Sequence, residues 1–279
     1  MALITLDRLS FGYRTTKNVL WALTETITPG IWLLLGENGA GKTTLLSCMA
    51  GLLKPISGAC LIDGVPTASH RPSVMERIFF LPDNLQSQQR NIAELKACDA
   101  RFYPNFNNGL LDDNLKAFGL AEDIRLEKMS FGNRRKAFMA YALSLGTEVL
   151  LLDEPLNGLD IDSRKALTHM IARCVAPEQT VIVSTHEVHD LENLYDGIIV
   201  LHEGRILVCK PVDEIAAKVM CVRGSKPAPD ALWSENSGGL CISLVKNVSG
   251  EPGALDYSVL YSALMHNHRA IMEILETEV

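Results

Sequence analysis

The sequence predicts an α/β fold with a mainly parallel core sheet, an antiparallel β subdomain at its N-terminal end and an inserted helical subdomain. Three observations carry that prediction. Residues 31–35 form an apolar run of strand length that enters a glycine-rich loop and then a helix. Residues 149–152 are a continuous apolar run and 180–186 a second buried strand with Val181, Ile182 and Val183, and strands apolar on both faces belong inside a parallel sheet. Residues 84–146 are polar with helical spacing, which sets them apart from the strand-rich segments on either side.

In chain order, residues 3–6 and 19–27 alternate as half-buried strands, and Thr28-Pro29-Gly30 is the turn before the strand at 31–35. Gly36 to Thr43 fits the phosphate-loop pattern G-x-x-x-x-G-K-[ST] without a mismatch, and the helix after it stops at Gly51. Residues 52–82 read as β-rich: a turn at 55–58, a strand at 59–62, a hairpin signal at Asp63-Gly64, and a buried strand at 77–81 ended by Pro82. In the helical insert, Ile92 and Leu95, then Leu110, Leu111, Leu115 and Phe118, mark helical faces, with a further helix over 137–145. Phe102, Tyr103 and Phe106 form an aromatic cluster that suits a local hydrophobic knot or a docking site. The segment 161–174 is a helix with Leu167, Met170, Ile171 and Cys174 on one face, and 197–201 with 205–208 form a hairpin. Beyond it the sequence predicts a helix at 213–220, loops around Pro227, Pro229 and 237–239, a strand at 240–245 and a helix at 259–275. Residues 1–220 are therefore expected as one domain, with the insert at about 84–146, and residues 221–279 as a small α+β appendage.

The loop carries the chemistry. Gly36, Gly39 and Gly41 lack Cβ, so the backbone can bring its N–H groups against a polyphosphate, and the helix start adds its positive dipole end. Lys42 is placed to reach the β- and γ-phosphates, and the Thr43 hydroxyl to bind Mg²⁺. Asp153 and Glu154 close a buried strand, where open α/β sheets place their sites. Asp153 is the expected Mg²⁺ partner of Thr43. Glu154, on the opposite face by strand alternation, is placed to polarise a water. His186 ends the next buried strand, as a structural residue or as a ligand of the γ-phosphate. Tyr13 reads as a strand aromatic or as a platform for a nucleotide base.

Composition narrows the partners. Thirty-three acidic residues against 26 Lys and Arg leave a net charge of −7, which argues against nucleic acid, since a phosphate backbone needs a basic face. The only tight basic cluster is Arg134-Arg135-Lys136. No signal peptide is visible and no stretch approaches the ~18 apolar residues of a spanning helix, so a membrane role must come through another chain. Seven scattered cysteines without a C-x-x-C pair read as free thiols of a reducing compartment.

Together these residues resemble the ATP-binding cassette of ABC transporters over about residues 2–215, a P-loop NTPase of the ABC type. The resemblance implies that Gly36, Glu37, Asn38, Gly39, Ala40, Gly41, Lys42, Thr43 and Thr44 bind ATP, with Tyr13 on the adenine. It implies Asp153 on Mg²⁺, Glu154 as general base, His186 as the switch histidine and Asp160 in the D-loop. The signature Leu-Ser-Gly-Gly-Gln stands here as Met129-Ser130-Phe131-Gly132-Asn133. In the family this segment binds the γ-phosphate held by the opposite subunit, and Phe131 obstructs close backbone approach. The Q-loop Leu-Pro-Gln stands as Leu81-Pro82-Asp83, so a carboxylate replaces the glutamine. Asp83 can meet Mg²⁺ but cannot donate a hydrogen bond, from which altered magnesium dependence or weaker hydrolysis is expected. Residues 102–106 and 116–120, with the variant signature, resemble the ATPases of bacterial ABC-2-type exporters of bacitracin, lantibiotics and peptide toxins. The implied protein is a cytoplasmic ATPase at the inner face of the plasma membrane. It would pair as a homodimer rather than a heterodimer around two Mg-ATP and drive a separate permease docked near residues 83–106. The alternatives are a weak or regulatory subunit that pairs with a different cassette, and a non-transport ABC ATPase.

Overall fold

The computed structural model describes residues 2–13, 18–85, 90–186 and 194–277. In chain order its elements are β1 (Ile4–Phe11), β2 (Leu20–Ile27), β3 (Gly30–Leu35), α1 (Lys42–Met49), β4 (Ser57–Ile62), β5 (Val65–Pro66), α2 (Pro72–Met75) and β6 (Ile78–Leu81). Then follow α3 (Ile92–Asp99), α4 (Asn108–Ala117), α5 (Phe131–Ser144), β7 (Val149–Asp153), α6 (Ile161–Cys174), β8 (Thr180–Ser184), β9 (Gly197–His202) and β10 (Arg205–Pro211). The C-terminal part comprises α7 (Val212–Lys218), β11 (Val219–Gly224), β12 (Ala231–Ser237), β13 (Leu240–Lys246) and α8 (Tyr257–Glu276).

Short polar side chains start the helices. Asn91, Asn107, Ser130 and Asp160 each accept a hydrogen bond from the backbone N–H three residues on, which satisfies an amide that the helix itself leaves open. The β4–β5 turn is the one announced by Asp63-Gly64, with φ of 48° and 79° at the two residues.

The described residues form three sheets. β2-β1-β4-β5 is antiparallel, and β11-β13-β12 is an antiparallel sheet that carries α8. Between them lies β10-β9-β3-β8-β7-β6, parallel from β9 to β6, with β10 antiparallel at the edge. Every residue of β7 and β8 is buried, as the apolar runs require.

Strand alternation divides the interior in two. Ile31, Leu33, Leu150, Leu152, Val181 and Val183 face one core with the helical insert; Trp32, Leu34, Val149, Leu151 and Ile182 face the other with β1, β2 and α1. The first core runs on without a break into the C-terminal part through Leu244, Val259, Leu260 and Leu264. The three tryptophans occupy three depths. Trp21 is exposed on β2 with Arg205 beside its ring. Trp32 is buried and donates from Nε1 to the Thr28 carbonyl at 2.9 Å. Trp233 stacks on His266 with ring centres 4.2 Å apart.

Three local expectations change. The helix expected over 213–220 ends at Lys218, and Val219 already pairs with Lys246 as the first residue of β11. The proline-rich stretch after it contains the strand β12, because β13 offers both edges for pairing. Helix α5 also begins six residues earlier than its apolar run, at Phe131, since Ser130 caps it.

Candidate functional site

The parallel strands β3, β8 and β7 are adjacent, so their C-terminal ends form one edge, and the site is built there. Between β3 and α1 the chain turns through Gly39 at φ 86° and Gly41 at φ 107°, a backbone region that L side chains rarely enter. Gly36 is needed for another reason: a Cβ there would stand 2.3 Å from the Leu201 carbonyl oxygen. Gly41 caps α1 without any side-chain hydrogen bond, which leaves the first amides of the helix to an anion.

Lys42 folds back over this loop. Its ammonium donates to the carbonyls of Gly36 at 2.7 Å and Glu37 at 3.3 Å, and lies 3.9 Å from Glu154 Oε1. Burial pulls its pKa below the ordinary lysine value, while the carboxylates of Glu154 and Asp153 pull it back up. The Thr43 hydroxyl donates to Asp153 Oδ2 at 2.7 Å. A hydroxyl and a carboxylate meeting beside a phosphate loop are the hard oxygen donors that Mg²⁺ takes, so the residues present fit that ion. The Ser184 hydroxyl donates to Asp153 Oδ1 and accepts the Glu154 N–H at 3.2 Å.

Glu154 corrects one expectation. It does not pass to the opposite face of β7, because it leaves the strand at φ 47° and turns its carboxylate into the same cavity as Asp153. A non-glycine residue in that region carries about 1–3 kcal/mol of strain, held only when its surroundings fix it. Its N–H bonds the Ser184 carbonyl at 2.9 Å, and its own carbonyl accepts from Arg135 Nη1 at 2.7 Å. His186 Nδ1 lies 3.0 Å from Glu154 Oε2, at the rim.

A cavity of about 410 Å³ gathers Tyr13, Glu37, Asn38, Gly39, Gly41, Lys42, Thr43, Thr44, Asp83, Asp153 and Glu154. Tyr13 stands at its mouth, 65% exposed, edge-on to Phe11 and with its hydroxyl 3.2 Å from that of Thr44. Ala40 packs beneath the loop near Gly36. Asp83 Oδ1 is held by Arg135 at 2.6 Å and by Asn157 at 3.1 Å.

The signature residues are not among those lining this cavity. Ser130 caps α5 by accepting from Asn133 N–H at 3.2 Å, and the Phe131 ring covers Gly158 and lies beneath the Arg135 guanidinium. Gly132 approaches the Gly158 carbonyl. Asp160 caps α6, and its hydrogen bonds from Ser163 hold its carboxyl below the usual range. The basic cluster is not a basic patch, because Arg135 is fully buried.

Two contributors were not singled out from sequence. Ser184 gave a signal of a kind, as a polar residue closing an apolar strand. Arg135 was visible only as one charge among three, and nothing local announced its burial.

Comparison with known proteins follows the same lines. Residues 22–157 match the family described as ABC transporter. The ABC transporter ATP-binding protein NatA of Bacillus subtilis (strain 168) is 31% identical over 228 residues, 74% of this chain and 88% of that protein. The bacitracin transport ATP-binding protein BcrA of Bacillus licheniformis is 30% identical over 196 residues, 66% of this chain and 62% of its own length. A solved structure of an ATP-binding subunit of an ABC transporter superposes with a TM-score of 0.68 and 26% identity, covering 76% of this chain and 91% of that one. A bacterial Atm1-family ABC exporter with ATP bound shares the fold at a TM-score of 0.64.

Proposed function

This chain belongs to the ABC transporter family as an ATP-binding subunit, and from that premise we propose that it binds and hydrolyses Mg-ATP to power a separate membrane subunit. The observation that carries the reading is the convergence of Lys42, Thr43, Asp153 and Glu154 on one cavity at the strand ends.

In this reading Tyr13 stacks on the adenine, and the amides of residues 36–44 with Lys42 hold the phosphates. Thr43 and Asp153 hold Mg²⁺, with Asp83 on the same wall of the cavity. The ion supplies charge neutralisation on the phosphates. Glu154, 3.9 Å from the Lys42 ammonium, accepts a proton from the attacking water. His186 orients the Glu154 carboxylate and senses the γ-phosphate. Two copies would meet head to tail. Ser130, Phe131, Gly132 and Asn133 would then cover the γ-phosphate of the partner, with Asp160 coupling the two sites. Phe131 and Ile161 are both exposed, as such a contact would need.

The permease would dock on the helical insert. A cavity of about 450 Å³ there is lined by Met75, Asp99, Arg101, Phe102, Tyr103 and Pro104, with Phe102 exposed. Residues 86–89 of the proposed 83–106 docking segment lie outside the described residues. Among the described residues no helix is long and apolar enough to cross a membrane. The proposed place is the cytoplasmic face of the membrane, through the permease. The likeness to a bacitracin transport protein supports export of a peptide, antibiotic or lipid-like substrate. Residues 1–220 would form the ATPase domain and residues 221–279 an appendage.

A second reading has one observation behind it: the Phe131 ring occupies the side of Gly158 where a glycine signature would leave backbone bare. In that reading the chain is a weak subunit that pairs with a different cassette. Glu154→Gln separates the two. On the main reading turnover falls at least about 100-fold, and the solution mass rises from one chain towards two with Mg-ATP. A wild-type chain without steady-state ATPase, and a Glu154→Gln chain that binds ATP as a monomer, would favour the second.

A further inference from the structure

Arg135 is a guanidinium with no exposed surface, and charged side chains are almost never fully buried unless paired. Its partners are unusual in kind. Nη1 donates to the Glu154 carbonyl at 2.7 Å, and Nη2 donates to both the carbonyl and the carboxylate of Asp83, at 2.7 and 2.6 Å. The guanidinium lies over the Phe131 ring, 5.0 Å from its centre. Nε has no hydrogen-bond partner among the described residues. A buried charge with one donor unmet is costly, so its retention calls for a role.

Each of these contacts ends on a segment of the site. Glu154 is the strained residue, at φ 47°, and such a conformation persists only where both of its peptide units are held. The Ser184 carbonyl fixes its N–H, and Arg135 fixes its carbonyl. The same guanidinium fixes the loop after β6 through Asp83, charge against charge. Its ring neighbour Phe131 begins α5 and covers Gly158.

We propose that Arg135 is a positioning residue for hydrolysis: it clamps the main chain at Glu154 to Asp83 and to the start of α5, so that the base keeps its aim. It touches no reacting atom and acts through the Glu154 peptide and the Asp83 carboxylate. The proposal rests on the reading of Glu154 as the base that orients water.

The test is steady-state ATP hydrolysis by the full chain, with thermal stability measured alongside. The variants are Arg135→Gln, Arg135→Lys, Asp83→Asn and the double Asp83→Asn/Arg135→Gln. Arg135→Gln lowers kcat at least about tenfold, while KM for Mg-ATP stays within about threefold because the phosphate contacts are intact. Arg135→Lys restores part of kcat, since an ammonium serves one carbonyl but not the fork. The double variant is no slower than Arg135→Gln, because both changes break one connection.

A folded Arg135→Gln with kcat within about twofold of wild type overturns the clamp, as does a double variant whose loss is the product of the single losses. If Arg135→Gln does not fold, Asp83→Asn and Arg135→Lys decide, and wild-type kcat in both overturns it. A Glu154→Gln chain that turns over normally removes the general-base reading and the clamp with it. Loss of turnover in Glu154→Gln beside wild-type kcat in the arginine variants removes the clamp alone.

Discussion

The Ser184 hydroxyl joins the two acids of the site, donating to Asp153 and accepting from the Glu154 amide. Residues that orient a metal's carboxylate matter nearly as much as the carboxylate itself, and their loss costs about 10–100-fold in metal affinity or activity. Ser184→Ala should therefore raise the Mg²⁺ concentration for half-maximal ATPase about tenfold or more, with the fold intact. A magnesium titration with an unchanged midpoint would remove Ser184 from the site. At this scale the sequence was readable wherever chemistry is local. Residues 36–44 announce their backbone by glycine spacing, and Asp153 and Glu154 by their place after an apolar run. The Asp83–Arg135 pair was not readable, because 52 positions separate residues that meet only when β6 and α5 pack. Glu154 departs from strand alternation, which does not foresee a left-handed exit.

Among the elements, the loop before α6 and the start of α5 are fitted to one another. Gly158 has φ 75°, and a Cβ on it would lie 2.5 Å from the Phe131 ring. Gly158→Ala should lower stability by about 1–3 kcal/mol, partly from the left-handed backbone and partly from displacing the ring. Adding Phe131→Ala should return the second part only. Denaturant midpoints of the two single variants and the double decide it, and strictly additive losses would show that the ring and the loop do not press on each other. Helix α6 was legible to its ends, since Asp160 caps it and its apolar face repeats at helical spacing. β11 was not: Val219 to Val222 follow a helical segment without a break, and only pairing with β13 makes them a strand.

For the whole molecule, the relevant fact is the unbroken first core. Val259, Leu260, Ala263 and Leu264 of α8 belong to the apolar cluster that also holds Val200 and Ile198 of the central sheet. A chain cut after residue 220 would bare what α8 covers, Tyr195 against Tyr257 and the packed face of α7, at about 25 cal/mol for each Å² of apolar surface exposed. Such a chain should aggregate or melt at least about 5 °C lower than the full chain. A truncated chain with the full melting temperature would show that the C-terminal part is dispensable for stability. The α/β order, the helical insert and the antiparallel start were all legible from hydrophobic periodicity. The sharing of one core between sheet and C-terminal part was not, because periodicity reports that a face is buried and not what buries it.

The three tryptophans give the protein its own optical labels. Trp32 sits in a rigid apolar interior and Trp21 in water, so their emission is separated in colour. Trp233 lies flat on the His266 imidazole, a contact that quenches an indole. Loosening of the C-terminal layer alone would part that stack and brighten one indole, while the buried emission of Trp32 stayed where it was. A Trp21→Phe chain would report the interior and the C-terminal layer as two signals from one unlabelled sample. Light alone would then tell whether the C-terminal layer opens before the interior does.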